Sequence, residues 1–313
     1  LTTTKPDSVD IRDFGAKVDG ETDDTQAVQS AIEAAPQGGT VYFPPGTTLV
    51  SPPKDYDAAI SLNPSNATGL TIRGSGPRSV VTLPDDVVSS GLAWIFGMDL
   101  STGRLADLTI EHLVLDGNRS NNSEFTTMGI NQHPGGTGHD ISIRNVQAQN
   151  CSESGFTLQG GYTELVNCTA VNNGRQGFGV KPWVDTATPE VVLRNVLALD
   201  NGKEGIDHNS GYAGIDGFWS ENNATGGAKV PWPTKESVWR NGTFKSNGTM
   251  GFRYNGDYHD QQYRPFPVRL DNVVAVDNPW AGFLLAGDVT YEIGTIAAIG
   301  NNASQHQEGN IDV

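Results

Sequence analysis

Gly129-Ile130, Gly155-Phe156, Gly177-Phe178, Gly205-Ile206, Gly251-Phe252 and Gly282-Phe283 place a glycine before a large apolar residue again and again, at intervals of 26, 22, 28, 46 and 31 residues. Periods of this size mark a solenoid, and the interval of 46 reads as two coils, the second opening near Gly227-Ala228. Between the anchors run short aliphatic stretches such as Ile141-Ser142-Ile143, Val191-Val192-Leu193 and Val273-Val274-Ala275-Val276. Asn172-Asn173-Gly174, Asn201-Gly202 and Asn247-Gly248 punctuate them. Several strands per repeat and no helical period predict an all-β fold, a β-solenoid.

Composition agrees. The chain has 313 residues, 38 of them Gly, and 18% are charged. No apolar run approaches the length of a membrane span, so no membrane partner is expected. The strand-and-turn texture never changes, which predicts one elongated domain over 1–313, monomeric, with a terminal segment at about 9–50 and the functional coils at about 125–300. A net charge of −16 with 20 Lys plus Arg supplies no broad basic surface for phosphates and argues against nucleic acid. Of the two cysteines, Cys168 takes the strand position of Val146 and Val196 and should pack as a small apolar residue, while Cys151 lies in a turn; a bond between them stays open. No basic start with an apolar stretch precedes Leu1, as expected of a chain beginning at a mature terminus. Nine Asn-x-Ser/Thr sequons (Asn66, Asn118, Asn121, Asn150, Asn167, Asn223, Asn241, Asn247, Asn302) suit a secreted, extracellular protein, although turn asparagines also produce such matches by chance.

Residues 9–50 read as strand, helix, strand. In Asp23-Asp24-Thr25-Gln26 an Asp can cap a helix with Gln three residues on, and Ala27, Val28, Ala31, Ile32 and Ala35 recur at helical spacing until Pro36 and Gly38-Gly39. A solenoid needs its open core covered, and a helix at about 24–35 can do so. The run Val9-Asp10-Ile11-Arg12-Asp13-Phe14-Gly15-Ala16, with Asp19-Gly20, Asp23-Asp24-Thr25 and Gly38-Gly39-Thr40-Val41-Tyr42-Phe43-Pro44-Pro45-Gly46, resembles the opening of the pectate-lyase-like superfamily. That resemblance implies a right-handed parallel β-helix with an N-terminal capping helix. It implies little about chemistry, because the superfamily holds lyases, polygalacturonases, epimerases and phage tailspikes.

Side chains on a strand alternate between core and solvent. With the apolar anchor inward, one outward column is Asn131, Thr157, Gly179, Asp207 and Arg253, and a second is His133, Gln159, Lys181, Asn209 and Asn255. Arg175 sits at the edge of this face. Insertions follow the same strand: 182–189 with Trp183, Gly211-Tyr212-Ala213-Gly214, Pro231-Trp232-Pro233, and 257–264 with Tyr258 and His259. Such insertions build binding walls, and their aromatic rings can stack on sugars or simply anchor the loops. For any one outward residue a solvated side chain is the plainer reading. His, Lys, Arg and Asp together beside loops favour a site.

A second resemblance covers about 125–300. Met128-Gly129-Ile130-Asn131-Gln132-His133-Pro134, the coil Ile141-Ser142-Ile143-Arg144-Asn145, and Asn172-Asn173-Gly174-Arg175-Gln176-Gly177-Phe178 are similar to the catalytic module of mannuronan C-5 epimerases, with their Tyr-Gly-Phe-Asp-Pro-His-Glu and Asn-Asp-Arg-His-Gly-Phe motifs. His133 and Arg175 match; Met128 replaces the Tyr, Asn131 the Asp, Pro134 the Glu and Gln176 the second His. The resemblance gives the Tyr a proton-transfer role, so its loss bears on an epimerase outcome. It implies removal of the C5 proton of a uronate, which needs cations to neutralise the carboxylate and a positioned base. On that footing Arg175, Lys181 and Arg253 neutralise, His133 is the base, and Tyr254, Tyr258 or His259 is the acid. Asn131, Asp207, His208, Arg253, Trp183, Tyr258 and His259 are candidate substrate contacts. Calcium is a possible substitute for a cation, held by Asp207, Asp257 or Asp260; no organic cofactor is expected.

The expected function is therefore a lyase acting on an acidic polysaccharide by β-elimination, with three alternatives: a polyuronate C-5 epimerase, a glycoside hydrolase, or a non-catalytic glycan binder. A hydrolase needs two carboxyl groups roughly 5–9.5 Å apart, for which Asp207 with Asp216, Asp257 or Asp260 would serve. The polygalacturonase motifs Asn-Thr-Asp, Gly-His-Gly and Arg-Ile-Lys are absent from the sequence.

Overall fold

The computed structural model describes residues 7–53, 57–87, 91–100, 103–122, 126–133, 140–181, 190–209, 211–231, 235–255, 266–286 and 290–301, without the side chains of His133 and Asn255. Short strands stack in parallel from coil to coil, as in a parallel β-helix. One sheet has nine strands: Ala58–Leu62, Leu92–Asp99, Thr126–His133, Phe156–Leu158, Phe178–Val180, Ile206–His208, Gly226–Val230, Met250–Asn255 and Ala281–Ala286. The remaining strands form an 18-stranded sheet. The predicted 46-residue interval is indeed two coils, since Gly226–Val230 pairs with strands on both sides.

The glycine of each anchor has a steric cause. A Cβ on Gly129 would lie 2.7 Å from the Gly155 carbonyl, one on Gly177 2.7 Å from that of Gly205, and one on Gly251 2.5 Å from that of Gly282. Each coil's backbone thus presses against the glycine below it, and only hydrogen fits between. The apolar partners stack inside: Phe156 and Phe178 lie 5.0 Å apart with their rings 5° from parallel. Ile130, Ile206 and Phe252 are wholly buried in the same core.

The asparagine punctuation is a second ladder. Asn173 Nδ2 donates to Asn201 Oδ1 (3.0 Å), Asn201 to Asn223 (2.8 Å), Asn223 to Asn247 (2.9 Å), Asn247 to Asn278 (3.1 Å) and Asn278 to Asn301 (2.8 Å). Each also accepts a backbone N–H, beginning with that of Cys151 on Asn173. The sequons at Asn223 and Asn247 therefore lie in the interior and present no glycosylation site in the folded chain. Both cysteines are free and buried, and burial pushes the thiols up, that of Cys168 to about 12.

The helix spans Thr25–Ala34 and buries Val28, Ala31 and Ile32 in the core. Its N-terminus departs from the expected cap. Asp24 holds the N-cap position, but its carboxylate accepts from the N–H groups of Lys17 (2.7 Å) and Val18 (2.9 Å), tying down the preceding loop instead. Asp23 accepts from Thr25 N at 3.0 Å.

Candidate functional site

The nine-stranded sheet carries an outward column whose register runs Ser61, Gly97, Asn131, Thr157, Gly179, Asp207, Lys229, Arg253 and Leu284. The expected members Asn131, Thr157, Gly179, Asp207 and Arg253 all stand in it. Lys229 was missed, although dividing the long interval at Gly227-Ala228 puts it there by the same alternation. This face is not simply solvated: Asn131 is 3% exposed, Thr157 6% and Asp207 2%. His133 is in register with Asp99 on the neighbouring strand.

Two further columns border the face at the turn. Arg175 N donates to the Glu153 carbonyl and Lys203 N to that of Arg175; Gly155 N donates to the Gln176 carbonyl and Gly177 N to that of Glu204. This stacking brings polar side chains from three coils together around one amide. Gln176 Oε1 accepts from Lys181 Nζ (2.8 Å) and Ser154 Oγ (3.2 Å), while its Nε2 donates to Asp207 Oδ2 (3.2 Å) and Glu204 Oε2 (3.3 Å). Asp207 Oδ2 also accepts from Asn209 Nδ2 at 3.0 Å. Lys181 Nζ stands 3.7 Å from it, in ion-pair but not hydrogen-bond range. Arg175 pairs with Glu153 at 2.8 Å and keeps its side chain 43% exposed. Sequence reasoning missed Glu153 and Glu204, whose turn positions carry no alternation signal.

Burial decides the protonation balance of the central pair. It pushes the Asp207 carboxyl up, and Glu204 adds to this, against the opposing charges of Lys181 and Lys229. Burial likewise lowers Lys181, against the attraction of Asp207 and Glu153 and with a push from Arg175. Each partner thus leans toward its neutral form, because removal from water outweighs an attraction at this separation. Four buried polar atoms on this face have no hydrogen-bond partner among the described residues: Asp207 Oδ1, Gln159 Oε1, Arg175 Nε and Arg253 Nε. The amide of Gln159 donates to Asn131 Oδ1 at 3.0 Å, which turns its free oxygen away from that bond.

Several expectations are corrected. Tyr254 is 3% exposed, edge-on to Tyr291 in the core, and burial pushes its phenol up. His208 is wholly buried, with Nδ1 3.0 Å from Ser237 Oγ and Nε2 3.0 Å from the Gly211 carbonyl. Both stand two residues after an inward anchor, so the alternation turns them inward whatever their chemistry. Asp216 belongs to the other sheet, where it accepts from Asn241 Nδ2 at 2.7 Å, so it makes no hydrolase pair with Asp207. Gly211-Tyr212-Ala213-Gly214 is no insertion, since Tyr212 opens a strand running to Glu221. Met128 lies with Ala58 and Trp94 in a small apolar cluster. Trp183, Tyr258, His259, Asp257, Asp260 and the segments 182–189 and 257–264 lie outside the described residues.

Asp207 does not fit calcium. Its Oδ2 faces the N–H groups of Gln176 and Asn209 and the Lys181 ammonium, donors that repel a cation. Among the described residues no three His, Cys, Asp or Glu side chains are grouped to hold a metal. A hollow of about 560 Å³ lies elsewhere, between the helix end and the 63–70 turn, and is lined by Glu33, Pro36, Asn63 and Asn66 without Lys, Arg or His.

Comparison with known proteins agrees with this architecture. The chain is 29% identical over 297 residues to the mannuronan C5-epimerase AlgE5 of Azotobacter vinelandii, a match covering 90% of this chain and 26% of that protein. It is 30% identical over 207 residues to alginate lyase 7 of the same organism, covering 63% of this chain and 23% of the lyase. It therefore spans about a quarter of the length of these relatives. Among solved structures, the A-module of the A. vinelandii mannuronan C-5 epimerase AlgE4 matches 93% of this chain and 96% of its own at a TM-score of 0.55 and 18% identity, a likeness of fold. Residues 8–253 match the family of rhamnogalacturonase A/epimerase, pectate lyase-like proteins, and the chain belongs to that family.

Proposed function

We propose that this chain is an enzyme that acts on a uronate-containing polysaccharide by abstracting the proton at C5, with epimerisation at C5 as the first outcome and β-elimination as the second. The observation that carries this reading is the row of cations on the outer face of the nine-stranded sheet. Arg175, Lys181, Lys229 and Arg253 gather on one face of a chain whose net charge is −16, beside buried polar atoms without a hydrogen-bond partner among the described residues. A C5 proton is weakly acidic until the adjacent carboxylate is neutralised, and four cations beside a sheltered surface supply that neutralisation. The unpartnered Nε atoms of Arg175 and Arg253 are donors for carboxylate oxygens; Gln159 Oε1 is an acceptor for a sugar hydroxyl. His133, at the end of Thr126–His133, is the base in this reading.

The named relatives, chiefly mannuronan C5-epimerases, move epimerisation ahead of the elimination expected from sequence and make polymannuronate the first polymer to try. Elimination keeps second place on one observation: Met128, where the epimerase motif has Tyr, sits among apolar side chains and has no proton to give. An extracellular location is part of the same proposal, since a polymeric substrate does not readily enter a cell. The test is reaction of polymannuronate in deuterated water. Deuterium at C5 in an intact chain is expected for epimerisation, and unsaturated ends absorbing in the ultraviolet for elimination. Saturated reducing ends without C5 deuterium would replace the reading with hydrolysis; an unchanged panel of uronate polymers would replace it with non-catalytic binding.

A further inference from the structure

Both outcomes require a proton donor as well as a base: epimerisation returns a proton to C5 from the opposite face, and elimination protonates the leaving O4. The motif's Tyr is Met128 here, and Tyr254 is enclosed in the core. The described titratable groups of the sheet's outer face and its turn, besides its arginines, are Asp99 in register with His133, Glu153, Lys181, Lys203, Glu204, Asp207 and Lys229; Asp99 and Lys203 are partly exposed. Glu153 is held by Arg175, and the lysines serve as cations toward the uronate carboxylate. Glu204 stands in the turn, partly open to solvent. Asp207 differs from all of these: it is 2% exposed, and one of its two oxygens is buried with no partner among the described residues.

Resting on the function proposed above, we infer that Asp207 is the catalytic acid of this face, delivering a proton from Oδ1 to C5 on epimerisation or to O4 on elimination. The asymmetry of its contacts argues for this. Gln176 Nε2, Asn209 Nδ2 and the Lys181 ammonium all face Oδ2, so a proton on the carboxyl resides on Oδ1, the oxygen left for a ligand. Burial and Glu204 favour that proton, while Lys181 from the preceding coil and Lys229 from the next oppose it. Gln176, which stands at the position of the motif's second His, fixes the carboxyl through its amide. The lost proton-transfer group is thus made good by the coil after that of Gln176, three coils on from Met128.

The chemistry balances. The C5–H bond breaks and its proton passes to His133, the electron pair entering the carboxylate as an enolate stabilised by the cations. In epimerisation the pair returns to form a new C5–H bond with the Asp207 proton. In elimination it forms C4=C5 as C4–O4 breaks, and O4 takes the Asp207 proton. Either way Asp207 is left as a carboxylate beside Lys181, to be reprotonated from solvent, and His133 as an imidazolium that gives its proton back to solvent.

The test separates the two steps. Wild-type enzyme is first shown to exchange C5 hydrogen with deuterated water on polymannuronate; absence of that exchange overturns the function itself, and this inference with it. Asp207→Asn should then still exchange C5 hydrogen, because base and cations remain, while epimerised or unsaturated product falls by about 100-fold or more. In wild type, product formation should fall as pH rises through the ionisation of Asp207, with exchange at C5 unaffected, a readout that does not depend on the variant folding. Asp207→Asn retaining product within about threefold, losing exchange and product equally with unchanged melting, or a wild-type profile in which both rates fall together would each overturn the assignment.

Discussion

Two sets of buried amides and carboxyls stand in this solenoid, and they are treated in opposite ways. In the asparagine ladder from Asn173 to Asn301, each side chain donates to the next, accepts a backbone N–H and caps a strand carbonyl, as Asn223 does for Ala198. On the outer face of the nine-stranded sheet, Asp207 Oδ1, Gln159 Oε1 and the Nε atoms of Arg175 and Arg253 are equally withdrawn from water but have no partner among the described residues. A satisfied buried network fixes a structure; an incomplete one is tolerated where something else completes it. Burial and residue type do not separate the two roles, whereas the hydrogen-bond tally does.

The sharpest way to break this comparison is to open the ladder. Asn223→Ala removes bonds to Ala198, Ser220 and Asn247 and strands the Asn201 N–H, so a loss of roughly 3 kcal/mol in urea unfolding is expected. A loss under about 1 kcal/mol would mean that the ladder is decorative. Arg175→Ala probes the other side. Its ion pair with Glu153 is half-exposed and contributes little stability, so melting should stay put while kcat/KM falls about 100-fold, through both KM and kcat. Unchanged kinetics with lowered melting would make it a structural residue. The smallest effect concerns pH. Because the folded state holds the Asp207 proton more tightly than the ordinary 3.8, its contribution to stability is fully present below that value and is lost as pH rises through the folded one. Asp207→Asn lacks that loss, so its melting temperature relative to wild type should climb by a few degrees from acid to neutral pH. A difference that does not change with pH would show that folding does not raise the Asp207 carboxyl.

The fold was legible because sterics and alternation act locally. A glycine pressed against the next coil's carbonyl must recur once per coil, and the residue two after it must face outward, which placed Asn131, Asp207 and Arg253 correctly. The errors arose where chemical type overrode that alternation: a histidine and a tyrosine attract functional roles, yet His208 and Tyr254 occupy inward positions and are packed accordingly. Lys229 was hidden by reading one long interval too loosely. Glu153, Glu204 and the hub at Gln176 depend on how turns from successive coils stack, which one strand's period does not encode. The shelter of the outer face was also invisible, since a polar column reads the same whether water reaches it or not.

The glycine anchors carry a consequence for how such a chain can change. Coil intervals of 22, 26 and 28 residues leave Asn131, Thr157, Gly179 and Asp207 in unbroken register, so differences in length are absorbed entirely between the anchors. The solenoid behaves like a keyboard whose keys keep their spacing while the material behind them is exchanged. Segments grafted between two anchors would alter which polymer is admitted without moving the groups that act on it, and a single methyl added at Gly177 or Gly251 would do the reverse.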